Sequence, residues 1–134
     1  MITLPYVPSM SVRIKTLLNS LILNPSTAGY KYLEDILNIT TSKRRREYTS
    51  LGMLYAEVAK KYNVAPTSVG VAIRRAIDRS WGFADFQLEY NLFGRTVEFK
   101  RGMPTCGDFI ANTTMYLLMN RRYEVKEKHR SIKL

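Results

Sequence analysis

Residues 54–81 constrain the fold of this chain more than any other stretch, because they hold two helical patterns separated by a short break. In the second pattern, small and apolar residues recur at the i, i+3, i+4 and i+7 positions of one helical face: Val69, Ala72, Ile73, Ala76, Ile77, Ser80 and Trp81. Pro66 suits the first turn of this helix, where its missing N–H loses no hydrogen bond. The spacing predicts helices at about 50–62 and 66–81, in the arrangement typical of a helix-turn-helix DNA reader.

The predicted turn between these two helices is short. One face of the first helix carries Leu51, Leu54, Val58 and Tyr62. Asn63 suits the left-handed position that ends this helix, since asparagine tolerates a positive φ. We expect Val64 to fill the corner between the helices, and we expect Ala59, Ala72 and Ala76 to let helices cross closely. The outer face of the second helix then holds Ser68, Val71, Arg74, Arg75, Asp78 and Arg79.

The chain is strongly basic. It has 21 Lys and Arg against 11 Asp and Glu, a net charge of +10 and a pI near 9.9. This balance favours a polyanionic partner, with nucleic acid as the first candidate and an anionic membrane surface as the second. The membrane candidate lacks an amphipathic helix with a bulky apolar face, and no apolar run is long enough to span a bilayer. Basic residues cluster at 43–46, at Lys60 and Lys61, and in the tail from residue 121.

The remaining patterns also predict helices. A first helix, capped by Ser11, is expected to bury one apolar face: Ile14, Leu17, Leu18, Leu21 and Ile22. A second helix, from Ala28 to about residue 40, is expected to bury Tyr30, Leu33, Ile36 and Leu37. A short helix at 85–93 with Gly94 as its C-cap and a short extended segment at 95–100 follow. A last helix, capped by Thr105, is expected to bury Phe109, Ile110, Thr113 and Leu117.

Length and composition fit one all-α domain, a compact bundle of about six helices. The predicted domain spans 1–134, with an N-terminal extension at 1–10 and a charged tail at 122–134 that stays disordered unless it meets a partner. His129 is the only histidine and Cys106 is the only cysteine. We therefore expect no enzyme activity, no metal site, no cofactor and no small-molecule substrate, and a reducing, cytoplasmic setting.

Many residues of this chain stand at the spacing found in one known family. They are GYKYL at 29–33, AKKYN at 59–63, Pro66, Val69, AIR at 72–74, AI at 76–77, Trp81, LFG at 92–94, TV at 96–97, PT at 104–105 and DFIA at 108–111. The correspondence runs without gaps from about residue 14 to residue 111. On these residues the chain resembles the C-terminal DNA-binding domain of the stage-zero sporulation response regulator, the transcription factor that commits endospore-forming bacteria to sporulation.

The resemblance implies a six-helix domain in which the third and fourth helices form the helix-turn-helix and the fourth helix enters the major groove. It also implies binding to short promoter boxes, often as tandem copies. In the family this domain follows a phosphorylatable receiver domain, whereas only about a dozen residues precede the first predicted helix here. We therefore expect either a stand-alone relative or a fragment of a longer protein.

Three positions depart from the base-reading pattern that the resemblance implies. The family has arginine, glutamate and arginine near the start of the fourth helix, where this chain has Ser68, Gly70 and Val71. Arginine reads guanine through two hydrogen bonds that discriminate by about 1–3 kcal/mol. Ser68 offers one short hydrogen bond, Gly70 offers no side chain, and Val71 offers an apolar contact, for example to a thymine methyl. The base preference of this chain should therefore differ from that of the family.

Phosphate contacts are expected from Arg74 and Arg75 together with Lys60 and Lys61. The full set of predicted DNA contacts is Lys60, Lys61, Thr67, Ser68, Gly70, Val71, Arg74 and Arg75.

The predicted function is duplex DNA binding by a transcription regulator, with RNA polymerase or a second copy on tandem sites as further candidate partners. The alternative is a protein-interaction module that keeps the fold and modulates a regulator or polymerase. The uncharged start of the fourth helix favours this alternative, and the basic balance disfavours it.

Overall fold

The computed structural model describes residues 8–94 and 102–132, with side chains described for 8–94 and 102–119. Six α-helices form the bundle in these ranges, which confirms the predicted all-α class. In chain order they are α1 (Met10–Ser20), α2 (Ala28–Thr40), α3 (Leu51–Tyr62), α4 (Pro66–Ser80), α5 (Phe86–Phe93) and α6 (Cys106–Ile132). A short 3₁₀ turn, Lys43–Glu47, connects α2 to α3. Within the described ranges, no helix is both long and apolar enough to cross a bilayer.

Helix α2 occupies the centre of the bundle. It packs against α1, α3, α4 and α6, and Leu33 and Ile36 on its buried face have no exposed surface. Gly29, near its N-terminus, lies against α4: a Cβ added there would sit 2.3 Å from the Ala72 carbonyl oxygen and 2.8 Å from the Ala76 Cβ. The prediction that Ala72 and Ala76 permit a close helix crossing is therefore confirmed, and α2 is the partner helix.

The N-terminal helix begins and ends differently from the prediction. The N-cap is Ser9, whose hydroxyl accepts a first-turn N–H at 3.3 Å, so the predicted Ser11 cap is wrong. The helix ends at Ser20, and the backbone then turns through a left-handed conformation at Ile22, with φ of 66°. This turn buries Leu21 and directs Ile22 outward, where it is 50% exposed. The expected burial of Ile22 is therefore wrong.

The connection between α3 and α4 is the three residues 63–65. Asn63 has φ of 54° and ψ of 50°, which confirms the predicted left-handed end of α3. Ala59 is buried at the base of the turn, and its carbonyl oxygen accepts the Val64 N–H at 3.0 Å. The prediction that Val64 fills the corner is wrong, because this backbone bond closes the turn while the Val64 side chain stays exposed.

Both later helices begin at side-chain caps. Asp85 accepts a first-turn N–H of α5 at 3.0 Å, and Thr105 accepts the Asp108 N–H of α6 at 3.1 Å, as the Thr105 pattern predicts. Gly94 is the C-cap of α5 in a right-handed conformation. The expected apolar face of α6 is buried: Phe109, Ile110, Thr113 and Leu117.

The predicted extended segment at 95–100 lies outside the described residues. The charged residues 122–132 belong to the end of α6, where side chains are not described.

Candidate nucleic-acid interface

Helix α4 lies on the surface of the bundle and presents two different faces. Its inner face is buried against the rest of the domain: Val69, Ile73, Ala76, Ile77 and Ser80. Thr67, Ser68 and Arg75 are exposed on the opposite side, and Val71 is 51% exposed near the middle of that face. The first turn of α4 contains no acidic residue and has no side-chain cap. Pro66 has no N–H and the Ser68 N–H donates to the Ala65 carbonyl at 2.9 Å, so the partial positive charge at this end of α4 comes mainly from the helix dipole.

The two adjacent arginines of α4 have different surroundings. Arg74 has a side chain that is 25% exposed, and its Nε lies 3.6 Å from Asp78 Oδ1, one turn further along the helix. Arg75 is exposed, and none of the described carboxylates pairs with it. A phosphate close to α4 could pair with Arg75 without competition. At Arg74 it would compete with the Asp78 carboxylate for the same guanidinium.

Arg79 joins Arg75 on the same side of α4, although it was not among the predicted contacts. The two arginines line a shallow crevice against the N-terminal end of α2, at residues 27–29. Both side chains are exposed. The i, i+4 spacing from Arg75 is the signal that could have placed Arg79 in the predicted set, since residues four apart are neighbours on a helix surface.

The two lysines at the end of α3 also differ. Lys60 is exposed, and no described carboxylate forms an ion pair with it. Lys61 is held towards α2, with its Nζ 3.0 Å from Asp35 Oδ1 and 5.3 Å from the centre of the Tyr62 ring. Tyr62 donates its hydroxyl to Asp35 Oδ2 at 2.5 Å. Burial first, and then the Asp35 hydrogen bond and charge, raise the pKa of Tyr62 to about 12.

Gly70 is turned towards α3 and is half-buried. A Cβ added at Gly70 would lie 3.0 Å from the Tyr55 ring. Burial, with a smaller effect of Cys106, raises the pKa of the Tyr55 hydroxyl. The absence of a side chain at Gly70 thus leaves room for the Tyr55 ring. Nothing in the sequence indicated this contact, because Tyr55 and Gly70 belong to different helices.

The described molecule is a small helical-bundle domain whose surface helix α4 combines a buried apolar face with a basic outer face. A family model described as "Sporulation initiation factor Spo0A C terminal" matches residues 14–117, which is most of the chain. The chain therefore belongs to this family. The family consists of DNA-binding domains of sporulation transcription factors and is not a family of enzymes. The family resemblance inferred from the sequence is thereby confirmed.

Proposed function

We propose that this chain binds double-stranded DNA by inserting the outer face of α4 into the major groove, with α3 as the first helix of a helix-turn-helix. The observation that carries the proposal is the one-sided packing of α4, which leaves Thr67, Ser68, Val71 and Arg75 accessible together. An α-helix fits the major groove of B-DNA, and its first turns reach the base edges. The exposed N-terminal part of α4 suits that role.

Phosphate contacts come chiefly from basic side chains that lack a carboxylate partner. Arg75, Arg79 and Lys60 are exposed and meet this condition among the described residues. Arg74 and Lys61 contribute less, because Asp78 and Asp35 already compensate their charges. Phosphate contacts of this kind fix the position of a protein on the duplex and carry little sequence information.

Base reading by α4 is weak or altered relative to the family pattern. Ser68 and Val71 are the exposed side chains at two of the three base-reading positions, and Gly70 at the third faces Tyr55. Without arginine at these positions the helix lacks the two-bond recognition of guanine, worth about 1–3 kcal/mol for each contact. Apolar contact between Val71 and a thymine methyl is the remaining source of direct preference.

A gel-shift titration against salt tests the duplex binding. The logarithm of the association constant should fall linearly with the logarithm of salt concentration, by about 0.9 for each phosphate neutralised. Selection of bound duplexes from a random pool would then return a broad preference rather than the family's promoter box. Absence of duplex binding at low ionic strength would refute the proposal.

A protein-interaction module is the second candidate function, and one surface feature favours it. Phe83 just before α5, Phe86 at its start and Tyr90 one turn further along are exposed, with Phe86 77% exposed. The Phe86 and Tyr90 rings stack with centres 6.1 Å apart. Exposed aromatic clusters are common at protein interfaces. Capture of a defined protein from lysate that persists after nuclease treatment, without duplex binding by the purified chain, would favour this candidate. RNA polymerase and a second copy on tandem sites stay predictions.

A further inference from the structure

The 3₁₀ turn Lys43–Glu47 presents four consecutive basic residues on the surface. Lys43, Arg44, Arg45 and Arg46 are all exposed. They lie outside α3 and α4, and the duplex contacts assigned to α4 make no use of them. The geometry points to a second phosphate-binding surface on this turn, which contacts the backbone of the same duplex beside the α4 site. This role rests on the duplex binding proposed for α4.

The backbone of the turn is held in one conformation by its own hydrogen bonds. The Ser42 hydroxyl accepts the Arg44 N–H at 3.1 Å, and the Arg45 carbonyl accepts the Tyr48 N–H at 3.2 Å. The Arg44 guanidinium donates to the Tyr48 hydroxyl at 2.8 Å, and Tyr48 packs against the core. The basic side chains are therefore presented from a fixed backbone, which limits the entropy lost when they meet a ligand.

Within the described residues, carboxylates compensate only one of the four basic side chains. Arg44 pairs with Glu57 of α3 at 3.5 Å and with Glu47 at 3.9 Å. Among the described residues, neither Lys43 nor Arg46 forms an ion pair, and Arg45 makes one bond to the Ser42 carbonyl at 3.1 Å. Arg44 thus fastens the turn to α3, while Lys43 and Arg46 present free charges.

The position of the turn suits a backbone contact. In helix-turn-helix complexes the first helix crosses the phosphate backbone while the second lies in the groove. The turn leads directly into α3, and the Arg44–Glu57 pair binds it to the middle of that helix. Lys60 follows Glu57 by about 5 Å along the helix axis, at 1.5 Å per residue. Each strand of a duplex carries one charge per about 3.4 Å of the duplex axis, so a basic surface that extends from the turn to Lys60 is long enough to meet more than one phosphate of a strand.

The test compares the salt dependence of duplex binding in the whole chain and in a Lys43→Ala, Arg46→Ala double variant. If both side chains contact phosphate, the slope of log K against log salt should become shallower by about 1.8, which is 0.9 for each contact. Affinity at low salt should fall for all duplex sequences alike. Arg46→Lys should keep the slope, because a phosphate contact needs the charge rather than the guanidinium shape. Circular dichroism melting checks that the variants fold.

A control for net charge is Lys15→Ala, which removes a lysine of α1 whose Nζ lies 3.8 Å from Glu34 Oε2. Helix α1 packs on α2 and α6, so this variant should keep the wild-type slope. Wild-type binding with an unchanged slope in the double variant would overturn the role of the turn and leave the α4 proposal standing. An equal loss of slope per charge removed in Lys15→Ala would also overturn it, since the effect would then be one of net charge. A wild-type chain that binds no duplex would overturn both proposals together.

Discussion

Arg74 and Arg75 are adjacent in the sequence, yet among the described residues only Arg75 lacks a carboxylate partner. Arg74 is paired with Asp78 on its own helix, while Arg75 points into solvent beside Arg79. The same contrast separates Lys61, which Asp35 holds, from Lys60. At the scale of single residues, the neighbouring carboxylates therefore decide how much each basic side chain contributes to an anion-binding surface.

Substitution of each arginine should reveal this difference. Arg75→Ala should make the salt dependence of duplex binding shallower by about 0.9 and weaken binding to all sequences, because one phosphate contact is lost. Arg74→Ala should have a smaller effect, since Asp78 already offsets the Arg74 charge. Asp78→Asn should strengthen binding by releasing Arg74. Gel-shift titration over a salt series measures all three, and equal slope changes for the two arginine variants would contradict the assignment.

At the scale of elements, the crossing of α2 and α4 depends on the absence of a side chain. The space that a Gly29 Cβ would occupy is already filled by Ala72 backbone and the Ala76 methyl group. The inner face of α4 packs at this crossing. The crossing therefore sets the position and orientation of α4, and of its outer face, relative to the rest of the bundle. A change in the crossing would therefore move the proposed DNA contacts without touching any of them.

Gly29→Ala should destabilise the domain by about 1–3 kcal/mol, because a Cβ beside backbone atoms forces the two helices apart. Gly52→Ala in α3 is the matched control. An added Cβ there meets only the Ser50 hydroxyl, at an ordinary 3.8 Å. The Gly52 variant should be neutral or slightly more stable, as expected for a helix position without strain. Urea unfolding followed by circular dichroism measures both, and equal stability of the two variants would exclude a tight crossing at Gly29.

Tyr62 at the end of α3 is partly buried and donates its hydroxyl to Asp35 of α2, and the burial and this contact together should change stability at alkaline pH. The folded-state pKa of Tyr62 is about 12, above the ordinary 10 of an unfolded chain. The folded protein holds this proton more tightly, so the stabilisation is complete below pH 10 and is lost as the pH rises towards 12. In Tyr62→Phe, stability should fall less steeply over this range. Urea unfolding at pH 9 to 12 measures the difference, and parallel curves would argue against a raised folded-state pKa of Tyr62.

At the scale of the whole molecule, one continuous core joins all six helices. Trp81, the only tryptophan, lies at the end of α4, where it packs edge-on against Phe93 of α5 and donates to the Gly102 carbonyl at 2.7 Å. Its fluorescence therefore reports on the part of the core shared by α4, α5 and the segment before α6. Circular dichroism reports on all of the helices.

The two signals should change together in urea, because a single core of this size unfolds cooperatively. Coincident midpoints and slopes for Trp81 fluorescence and for circular dichroism at 222 nm are the expected outcome. An earlier transition in fluorescence would indicate that the α4–α5 corner opens separately, and it would make the presentation of α4 depend on local unfolding.

Much of the fold could be predicted because its signals are local. The α3–α4 pair follows from apolar spacing, from Pro66 at a first turn and from Asn63 at a left-handed position, and each of these depends on a few neighbouring residues. The wrong predictions that Ile22 and Val64 are buried have a different origin. Both residues fit an apolar pattern, but each lies just past a helix end, where the path of the backbone rather than the periodicity sets the side-chain direction.

The family and the helical class were determined by the sequence itself, since they depend on residue types at fixed spacing along one chain. The candidate interface was only half determined in this way. Helical geometry predicts which residues of α4 face outward, but the charges that face them belong to distant positions: Asp35 is 26 residues from Lys61, and Gly29 is far from Ala72. Only the tertiary structure brings these pairs together, because Coulomb attraction and steric exclusion act over a few ångströms in space regardless of separation along the chain.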